Sequence, residues 1–237
     1  MNYPNVPRIN IAIDGYASCG KSTLARTLAR ALDYTYIDTG AMYRAVALYM
    51  MRHELPPEDL EDLRNALMRI ELSFSYDEDG QQRIYLNKED VEAQIRTMEV
   101  GHEASRYSQL RIVRAFLVRR QQFLGQEGGV VMDGRDIGTV VFPHAEFKIF
   151  MTARQEVRIL RRLQDLKAKS ITATREEVAR DLEQRDHQDT HRQESPLRQA
   201  EDAQVLDNSD MDPQVQTEWA LAHARERIQA RAATLKS

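Results

Sequence analysis

Residues 8–32 read RINIAIDGYASCGKSTLARTLARAL and contain the pattern that decides the fold. The first seven of them form a short apolar and β-branched run, which is typical of a buried strand. Further along, Leu24, Leu28 and Leu32 recur every four residues and predict one apolar face of a helix. Between these two elements, GYASCGKS at 15–22 fits the pattern G-x-x-x-x-G-K-[ST]. The stretch therefore predicts a strand, a phosphate-binding loop and a helix, in that order.

The residue types of this loop suit a polyphosphate. Glycine permits backbone torsions that a Cβ would forbid, so consecutive N–H groups can turn toward an anion at the start of the helix. In such loops the lysine, here Lys21, reaches the β- and γ-phosphates, and the hydroxyl of Ser22 is a magnesium ligand. Cys19 we interpret as a small side chain that fits the turn. We expect ATP to contact the whole loop: Gly15, Tyr16, Ala17, Ser18, Cys19, Gly20, Lys21, Ser22 and Thr23.

Four further apolar runs of strand length follow, at 34–38, 129–133, 147–152 and 203–207. Helical stretches separate most of them. Strands that alternate with helices predict an α/β fold with a parallel sheet covered on both faces. Ligands of such a sheet lie beyond the carboxyl ends of its strands.

Two segments depart from this alternation. Residues 70–87 predict a β-hairpin about a DEDGQQ turn, and this hairpin begins a small insert that runs to about residue 108. Residues 154–198 are dense in both charges, with helical periodicity at 155–167 and 175–186. Composition alone supports a pair of solvated helices here as well as it supports a functional segment.

The composition of the 237 residues, with 30% charged and 42% hydrophobic, predicts one main globular domain with insertions. A formal net charge of -4 provides no basic field for nucleic acid or an anionic membrane, so we expect neither as a partner. The single cysteine rules out an intramolecular disulfide. No apolar run approaches membrane-spanning length, and residues 1–8 lack a signal-peptide stretch, so we expect a cytoplasmic location.

The residues leave two classes of phosphate chemistry open. A GTPase switch is suggested by DEDG at 77–80 and NKED at 87–90, which fit D-x-x-G and N-K-x-D. Only six residues separate these matches, inside one predicted hairpin, whereas in a switch protein the two loops follow different core strands. Turn composition explains DEDG better, and we interpret NKED at the end of a strand as a coincidence. Transfer to a second nucleotide requires another phosphate site lined by arginines, and Arg44 and Arg135 each follow a predicted strand.

Seven segments carry a resemblance to a known family: IDG at 13–15, GKST at 20–23, DTGAMYRA at 38–45, IRTMEV at 95–100, VRAFLVRRQ at 113–121, DGRDIGTVVFP at 133–143 and RDHQDTHR at 185–192. In this order, over almost the whole chain, they resemble the bacterial cytidylate kinases, a branch of the nucleoside monophosphate kinases. The resemblance implies a three-layer P-loop NTPase fold with a five-stranded parallel sheet. It also implies a single domain over 1–237, with a monophosphate-binding insert at about 70–108 and a lid at about 154–198.

The same resemblance implies a Mg²⁺-dependent transfer of phosphate from ATP to CMP and dCMP. A kinase of the UMP/CMP type is the nearest alternative, and a P-loop switch without a monophosphate acceptor is a more distant one. We expect a monomer. Ser18 departs from the family pattern, because that loop commonly has glycine at this position.

Residue by residue, the resemblance implies that Tyr43, Arg44 and Arg135 lie around the monophosphate and that Ser105, Arg114 and Asp136 read the base. The full set implied for CMP is Thr39, Tyr43, Arg44, Ser105, Arg114, Arg135, Asp136, Arg185, Asp189 and Arg192. The lid arginines Arg158, Arg161 and Arg162 are candidates to reach ATP, with Arg158 assigned to ATP binding. Lys21, Arg135 and Arg162 are the candidate catalytic residues.

Overall fold

The computed structural model describes residues 7–168 and 170–235. These residues form two compact units, one made of the chain up to Ile37 and from Leu124 onward, the other of Asp38–Phe123. Residues 1–6, part of the stretch without an expected signal peptide, lie outside the described residues.

The elements alternate along the chain much as the sequence patterns predict. In chain order they are β1 Asn10–Gly15, α1 Lys21–Leu32, β2 Thr35–Asp38, α2 Thr39–Arg52, α3 Leu60–Leu67, β3 Leu72–Tyr76, β4 Gln82–Leu86, β5 Glu89–Asp90, a 3₁₀ turn Gln94–Arg96, α4 Met98–Tyr107, α5 Arg111–Leu124, β6 Val130–Gly134, a π-helical turn Ile137–Val141, β7 Phe147–Thr152, α6 Gln155–Ala168, α7 Arg175–His191, β8 Gln204–Asp207 and α8 Pro213–Thr234.

The first unit is built on a five-stranded sheet with the strand order β2-β6-β1-β7-β8. The central strand β1 pairs in parallel with β6 and β7, and β7 pairs in parallel with β8. At the carboxyl end of β1, Gly15 lies opposite Met151 on one neighbour and Asp14 lies opposite Gly134 on the other. The predicted α/β fold with a five-stranded parallel sheet and flanking helices is confirmed.

The apolar periodicities of β1 and α1 meet in one core. Ile11 and Ile13 on β1 and Leu24 and Leu28 on α1 are buried in the same cluster, to which Ala220 of α8 also belongs. Full burial of each such large aliphatic side chain contributes about 1.5–3 kcal/mol. This packing fixes where the loop between β1 and α1 begins and ends.

The charged segment after β7 forms two helices with a core of their own. Ile159 and Leu166 of α6 pack with Val178 and Leu182 of α7, and Ala17 of the phosphate loop belongs to the same cluster. The helix α7 starts at a reciprocal capping box between Thr174 and Glu177. Both predicted helical stretches are confirmed, and their apolar faces pack against each other instead of facing water.

The second unit contains an antiparallel sheet in the order β3-β4-β5. The predicted hairpin is confirmed, because β3 pairs with β4 from Leu72 opposite Leu86 to Tyr76 opposite Gln82. Asn87 and Lys88 both have positive φ and form the two-residue turn that leads from β4 into β5. The NKED stretch therefore consists of a hairpin turn and the short strand β5.

Within the described part of the chain, no helix is long and apolar enough to cross a bilayer.

Candidate nucleotide-binding site

The loop between β1 and α1 adopts the torsions of an anion cradle. Gly15 has φ 147°, and a Cβ at this residue would lie 2.0 Å from the carbonyl oxygen of Met151, so no side chain fits there. Gly20 has φ 91° and is the N-terminal cap of α1. Ser18 has φ 58°, in the left-handed region that favours glycine. The serine that departs from the family pattern thus lies in a backbone region that favours glycine.

Lys21 is folded back across this loop. Its side chain is buried, and Nζ donates a hydrogen bond of 2.6 Å to the carbonyl oxygen of Tyr16. Burial lowers the pKa of Lys21, and the positive charge of Arg135 lowers it further. An anion in the cradle would oppose both effects, because it adds negative charge beside the ammonium. Nζ is also 3.8 Å from the buried Sγ of Cys19, which packs inside the turn.

Asp133 is a site residue that the motif analysis missed. The hydroxyl of Ser22 donates to Oδ2 of Asp133 at 2.8 Å, and the hydroxyl of Tyr36 donates to Oδ1, also at 2.8 Å. Asp133 lies near the carboxyl end of β6, the neighbour of β1 in the sheet. An acidic residue at the end of a strand is the signal that could have found it.

The pair Ser22 and Asp133 matches the ligands that Mg²⁺ prefers. A hydroxyl and a carboxylate are hard oxygen donors, and Mg²⁺ with a nucleotide uses one or two such groups together with phosphate oxygens and water. Among the described residues there is no group of three or more His, Cys, Asp or Glu side chains placed to hold a metal. A site completed by phosphate oxygens is therefore the arrangement that these residues fit.

Four of the residues predicted to bind CMP form one ion-pair cluster in the first unit. Nε of Arg135 donates to Oδ2 of Asp189 at 2.6 Å, and Arg192 lies 3.4 Å from Oδ1 of Asp136 and 3.8 Å from Oδ1 of Asp189. Burial would lower the pKa of Arg135, but the charge of Asp189 outweighs it and raises that pKa. Burial alone would raise the pKa of Asp189, but Arg135 outweighs it and lowers that pKa. Arg135 and Asp189 therefore hold each other in their charged forms.

Arg185 and Arg162 add positive charge beside this cluster. Arg185 is paired with Asp181 at 3.9 Å, which is too long for a hydrogen bond. Burial lowers the pKa of Arg185, and the charges of Arg135 and Arg162 lower it further. The region around these three arginines therefore favours an additional anion.

In the second unit, the residues that the family resemblance assigns to CMP binding lie on α2, α4 and α5. Asp38 caps α2 by accepting from the backbone N–H of Ala41 at 2.9 Å. Burial would raise the pKa of Asp38, but the charges of Arg96 and Arg44 outweigh it and lower that pKa. Arg44 is thus held close to a carboxylate at the start of its own helix.

Tyr43 and Arg114 are brought together in this unit, with the Arg114 guanidinium 5.6 Å from the centre of the Tyr43 ring. Arg114 is buried, and its Nη1 donates to the carbonyl oxygen of Ser108 at 3.2 Å. The carbonyl oxygen of Ser105 accepts from the hydroxyl of Ser108 at 2.8 Å. Thr39, the first residue of α2, is also buried.

Arg158 and Arg161 of α6 contact the phosphate loop itself. Nη1 of Arg158 donates to Asp186 at 2.6 Å and to the carbonyl oxygen of Ala17 at 3.4 Å. Nη1 of Arg161 donates to the carbonyl oxygen of Cys19 at 3.3 Å. These carbonyl contacts were not expected from the sequence, where Arg158 was assigned to ATP binding and Arg161 was a candidate to reach ATP.

Asp14 is a second residue that the motif analysis missed. Its two carboxylate oxygens accept from the backbone N–H groups of Ile137 at 2.8 Å and Gly138 at 2.7 Å. These amides begin the turn that follows Arg135 and Asp136. Burial raises the pKa of Asp14 to about 7, although the two backbone hydrogen bonds oppose the change. Asp14 thereby connects the strand that leads into the phosphate loop to the segment with Arg135 and Asp136, which are predicted to bind CMP.

The structure combines a parallel sheet with a glycine-containing cradle at the carboxyl end of its central strand. The next helix begins with Lys21 and Ser22. These features define a P-loop nucleotide-binding protein. The family model "Cytidylate kinase" matches residues 11–225. The chain belongs to the cytidylate kinase family.

Curated relatives agree with this placement. The chain is 52% identical to a cytidylate kinase of Porphyromonas gingivalis over 92% of this chain and 96% of the relative. It is 51% identical to a cytidylate kinase of Parabacteroides distasonis, over 90% of this chain and 95% of the relative. It is also 50% identical to a cytidylate kinase of Flavobacterium johnsoniae, over 85% and 90% of the two chains.

Proposed function

We propose that this protein transfers the γ-phosphoryl group of ATP to CMP and dCMP, giving ADP and CDP or dCDP. Family membership gives the reaction class. The observation that carries the residue-level proposal is the register of β1 and β6: Asp14 lies opposite Gly134, so Arg135 follows β6 at the edge of the sheet where Gly15 begins the phosphate loop. In keeping with this placement, the charge of Arg135 lowers the pKa of Lys21. One cation belongs to the loop for the donor and the other to the segment assigned to the acceptor, so a phosphoryl group in transfer would meet both.

The donor is assigned to the phosphate loop. Its backbone N–H groups and the N-terminus of α1 bind the β- and γ-phosphates, and Lys21 leaves the Tyr16 carbonyl to contact them. Ser22 and Asp133 would hold a magnesium ion. That ion would neutralise charge on the phosphate oxygens of the donor.

The acceptor is assigned to the residues carried over from the family. Arg44 and Arg135 bind the monophosphate, since an arginine fork matches two phosphate oxygens. Arg185 and Asp189 bind the sugar hydroxyls, and Arg192 closes on the nucleotide. Ser105, Arg114 and Asp136 read the base. Asp136 accepts from the exocyclic amine of cytosine, whereas uracil has a carbonyl there and would face one acceptor with another.

The transfer itself needs little proton chemistry. A monophosphate has a second pKa near 6, so its attacking oxygen is largely ionised at neutral pH and needs no strong base. Catalysis then consists mainly of alignment and of charge stabilisation by Lys21, Arg135 and Arg162. The lid helices α6 and α7 exclude water, whose attack on ATP would be unproductive.

The test is an acceptor panel. ADP release is measured with CMP, dCMP, UMP, AMP and dTMP, each with ATP and Mg²⁺, for the natural chain and for Asp136→Asn. We expect CMP and dCMP to give the highest kcat/KM. In the variant, the CMP value should fall by about tenfold or more, the loss of one charged hydrogen bond, and the advantage over UMP should narrow.

Each part of the assignment has its own contrary outcome. Equal or higher turnover with UMP points to a UMP/CMP-type enzyme. Hydrolysis that ignores every acceptor points to a nucleotide switch. Unchanged CMP kinetics in Asp136→Asn would remove Asp136 from base reading and leave the reaction class intact.

A further inference from the structure

Two carbonyl groups of the phosphate loop are held from outside the cradle. The carbonyl oxygen of Cys19 accepts from Nδ2 of Asn208 at 2.8 Å and from Nη1 of Arg161 at 3.3 Å. The carbonyl oxygen of Ala17 accepts from Nη1 of Arg158 at 3.4 Å. These donors lie on α6 and immediately after β8, so elements far along the chain fix the orientation of peptide groups in the loop.

Peptide planarity converts these contacts into an effect on the cradle. In a trans peptide the C=O and the following N–H point in opposite directions, and no described peptide bond is cis. A Cys19 carbonyl held toward Asn208 and Arg161 therefore turns the N–H of Gly20 to the opposite side. The N–H of Ser18 is turned in the same way by the contact on Ala17. Oriented N–H groups in this type of loop are what bind phosphate oxygens.

Asn208 is fixed so that its donor faces the loop. It is 1% exposed. Its Oδ1 accepts from Arg161 at 2.9 Å, and its backbone oxygen accepts from the other terminal nitrogen of Arg161 at 3.0 Å. Its Nδ2 also donates to Oε1 of Gln216 at 2.9 Å, and its backbone N–H donates to Thr152 at 3.0 Å. A rotated amide would break the contacts with Arg161 and Gln216.

We propose that Asn208 and Arg161 are positioning residues for the phosphate cradle, which act through the Cys19 carbonyl on the donor's polyphosphate and not on its base. The proposal rests on the assignment of the donor to this loop. It makes the lid helix α6 part of the apparatus that orients the cradle. Arg161 was a candidate to reach ATP directly, and the geometry points to an indirect role.

The experiment separates polyphosphate from base. Binding of ADP and of inorganic triphosphate, each with Mg²⁺, is measured by calorimetry for the natural chain, Asn208→Ala, Asn208→Asp and Arg161→Gln. Asn208→Asp keeps the acceptor for Arg161 but places an oxygen against the Cys19 carbonyl. Arg154→Gln is the matched control, because Arg154 precedes the same helix and pairs on the surface with Asp210 at 2.6 Å.

We expect each of the three test variants to weaken both ligands by a similar factor, about tenfold, the effect of one lost polar contact in a buried site. The control should bind both ligands as the natural chain does. In turnover, KM for ATP should rise while KM for CMP stays within about twofold. The double variant Asn208→Ala with Arg161→Gln should lose less than the product of the single losses, since both act on one carbonyl.

Two results would overturn the proposal. One is weaker ADP binding with unchanged triphosphate binding, which would place Arg161 on the base. The other is unchanged binding of both ligands in Asn208→Asp. Melting curves of all variants identify any loss of folding. In that case the further variant is Arg161→Lys, which keeps one hydrogen-bond donor for the Cys19 carbonyl and should recover part of the triphosphate affinity. No recovery would count against the proposal. Triphosphate binding needs no acceptor, so failure of the CMP assignment in the acceptor panel would be seen separately.

Discussion

Asp14 shows how one buried charge connects the two halves of the proposed site. Its carboxylate accepts from two backbone amides of the turn after Asp136, and it sits in the field of Asp136, which raises its pKa, and of Lys21, which lowers it. Burial is the largest influence and brings the pKa to about 7. Because the folded pKa lies above the ordinary value of 3.8, folding favours the protonated form.

This raised pKa predicts a specific pH dependence of stability. Between the two pKa values the folded chain holds a proton that the unfolded chain has lost, so the contribution of Asp14 to stability is largest at low pH and declines as pH rises toward 7. Asp14→Asn removes the titrating group and one of the two acceptors. The variant should be less stable overall. In the natural chain, the titration of Asp14 should make the free energy of unfolding fall by up to about 1.4 kcal/mol per pH unit, and this fall should be absent from the variant.

The measurement is urea unfolding of both proteins at several pH values from 5 to about 7.5, above the range where most carboxylates titrate. The other titratable groups are identical in the two proteins, so their contributions cancel in the difference. Parallel pH curves for the two proteins would contradict the assigned titration of Asp14.

At the residue scale, the sequence identified candidate site residues where spacing carries information. Lys21 and Ser22 were found because their distance from Gly15 is part of a pattern. Asp133 and Asn208 were missed because each is a single polar residue at the end of a strand, without a spacing signature. Their roles arise from which strands are neighbours in the sheet, and the register of β6 and β8 against β1 and β7 is a property of the folded chain.

The helix pair α6 and α7, the predicted lid, is the element whose stability bears most directly on the proposed donor site. Leu182 of α7 is fully buried and packs in a small cluster with Ile159, Leu166 and Val178, which also contains Ala17 of the phosphate loop. A cluster of this size has few other apolar contacts to compensate for a lost side chain. The pair should therefore open locally before the sheet does.

Leu182→Ala is predicted to destabilise the lid pair by about 2–5 kcal/mol, the range for a large-to-small change in a core. Hydrogen exchange should become faster in α6 and α7, while the amides of β1 and β6 keep their protection. KM for ATP should rise, because Arg158 and Arg161 are on α6. The matched control is Leu160→Ala, a half-exposed leucine on α6, which should change stability by no more than about 0.5 kcal/mol. Equal effects of the two substitutions would contradict the role of this core.

At the scale of elements, apolar period and turn chemistry predicted most of the architecture. The hairpin of β3 and β4 followed from the Asp79–Gly80 turn, and the helices α6 and α7 from their periodicity. The strand β5 was missed because it is only two residues long, too short for any alternation. The sequence did not decide between two solvated helices and a functional segment for α6 and α7. Helical periodicity shows that a helix has an apolar face, but it does not show what packs on that face.

At the scale of the whole molecule, the described residues divide into two compact units. Ile11 and Ile13 lie in the core of the first unit, and Ile84 and Ile95 are fully buried in the second. The second unit spans Asp38–Phe123, so it includes α2 and α5 in addition to the predicted insert at 70–108. The sequence could not place α2 and α5 in this unit, because an apolar helix face fits either core equally well.

This division predicts where a donor nucleotide stabilises the chain. All residues assigned to the donor belong to the first unit, and a ligand that binds only the folded state stabilises it by RT ln(1 + [L]/Kd), about 2.7 kcal/mol at a hundredfold excess over Kd. With ADP and Mg²⁺ at that excess, hydrogen exchange of the slowest amides of β1 and β6 should slow by the corresponding factor, about a hundredfold. Amides of β4 should change little, because the second unit opens through its own core.

Lys21→Ala, which should bind ADP poorly, is the control for effects of the nucleotide on exchange chemistry. An equal gain in β4 would show that both units unfold as one cooperative body, and no gain in β1 would remove the donor from the phosphate loop.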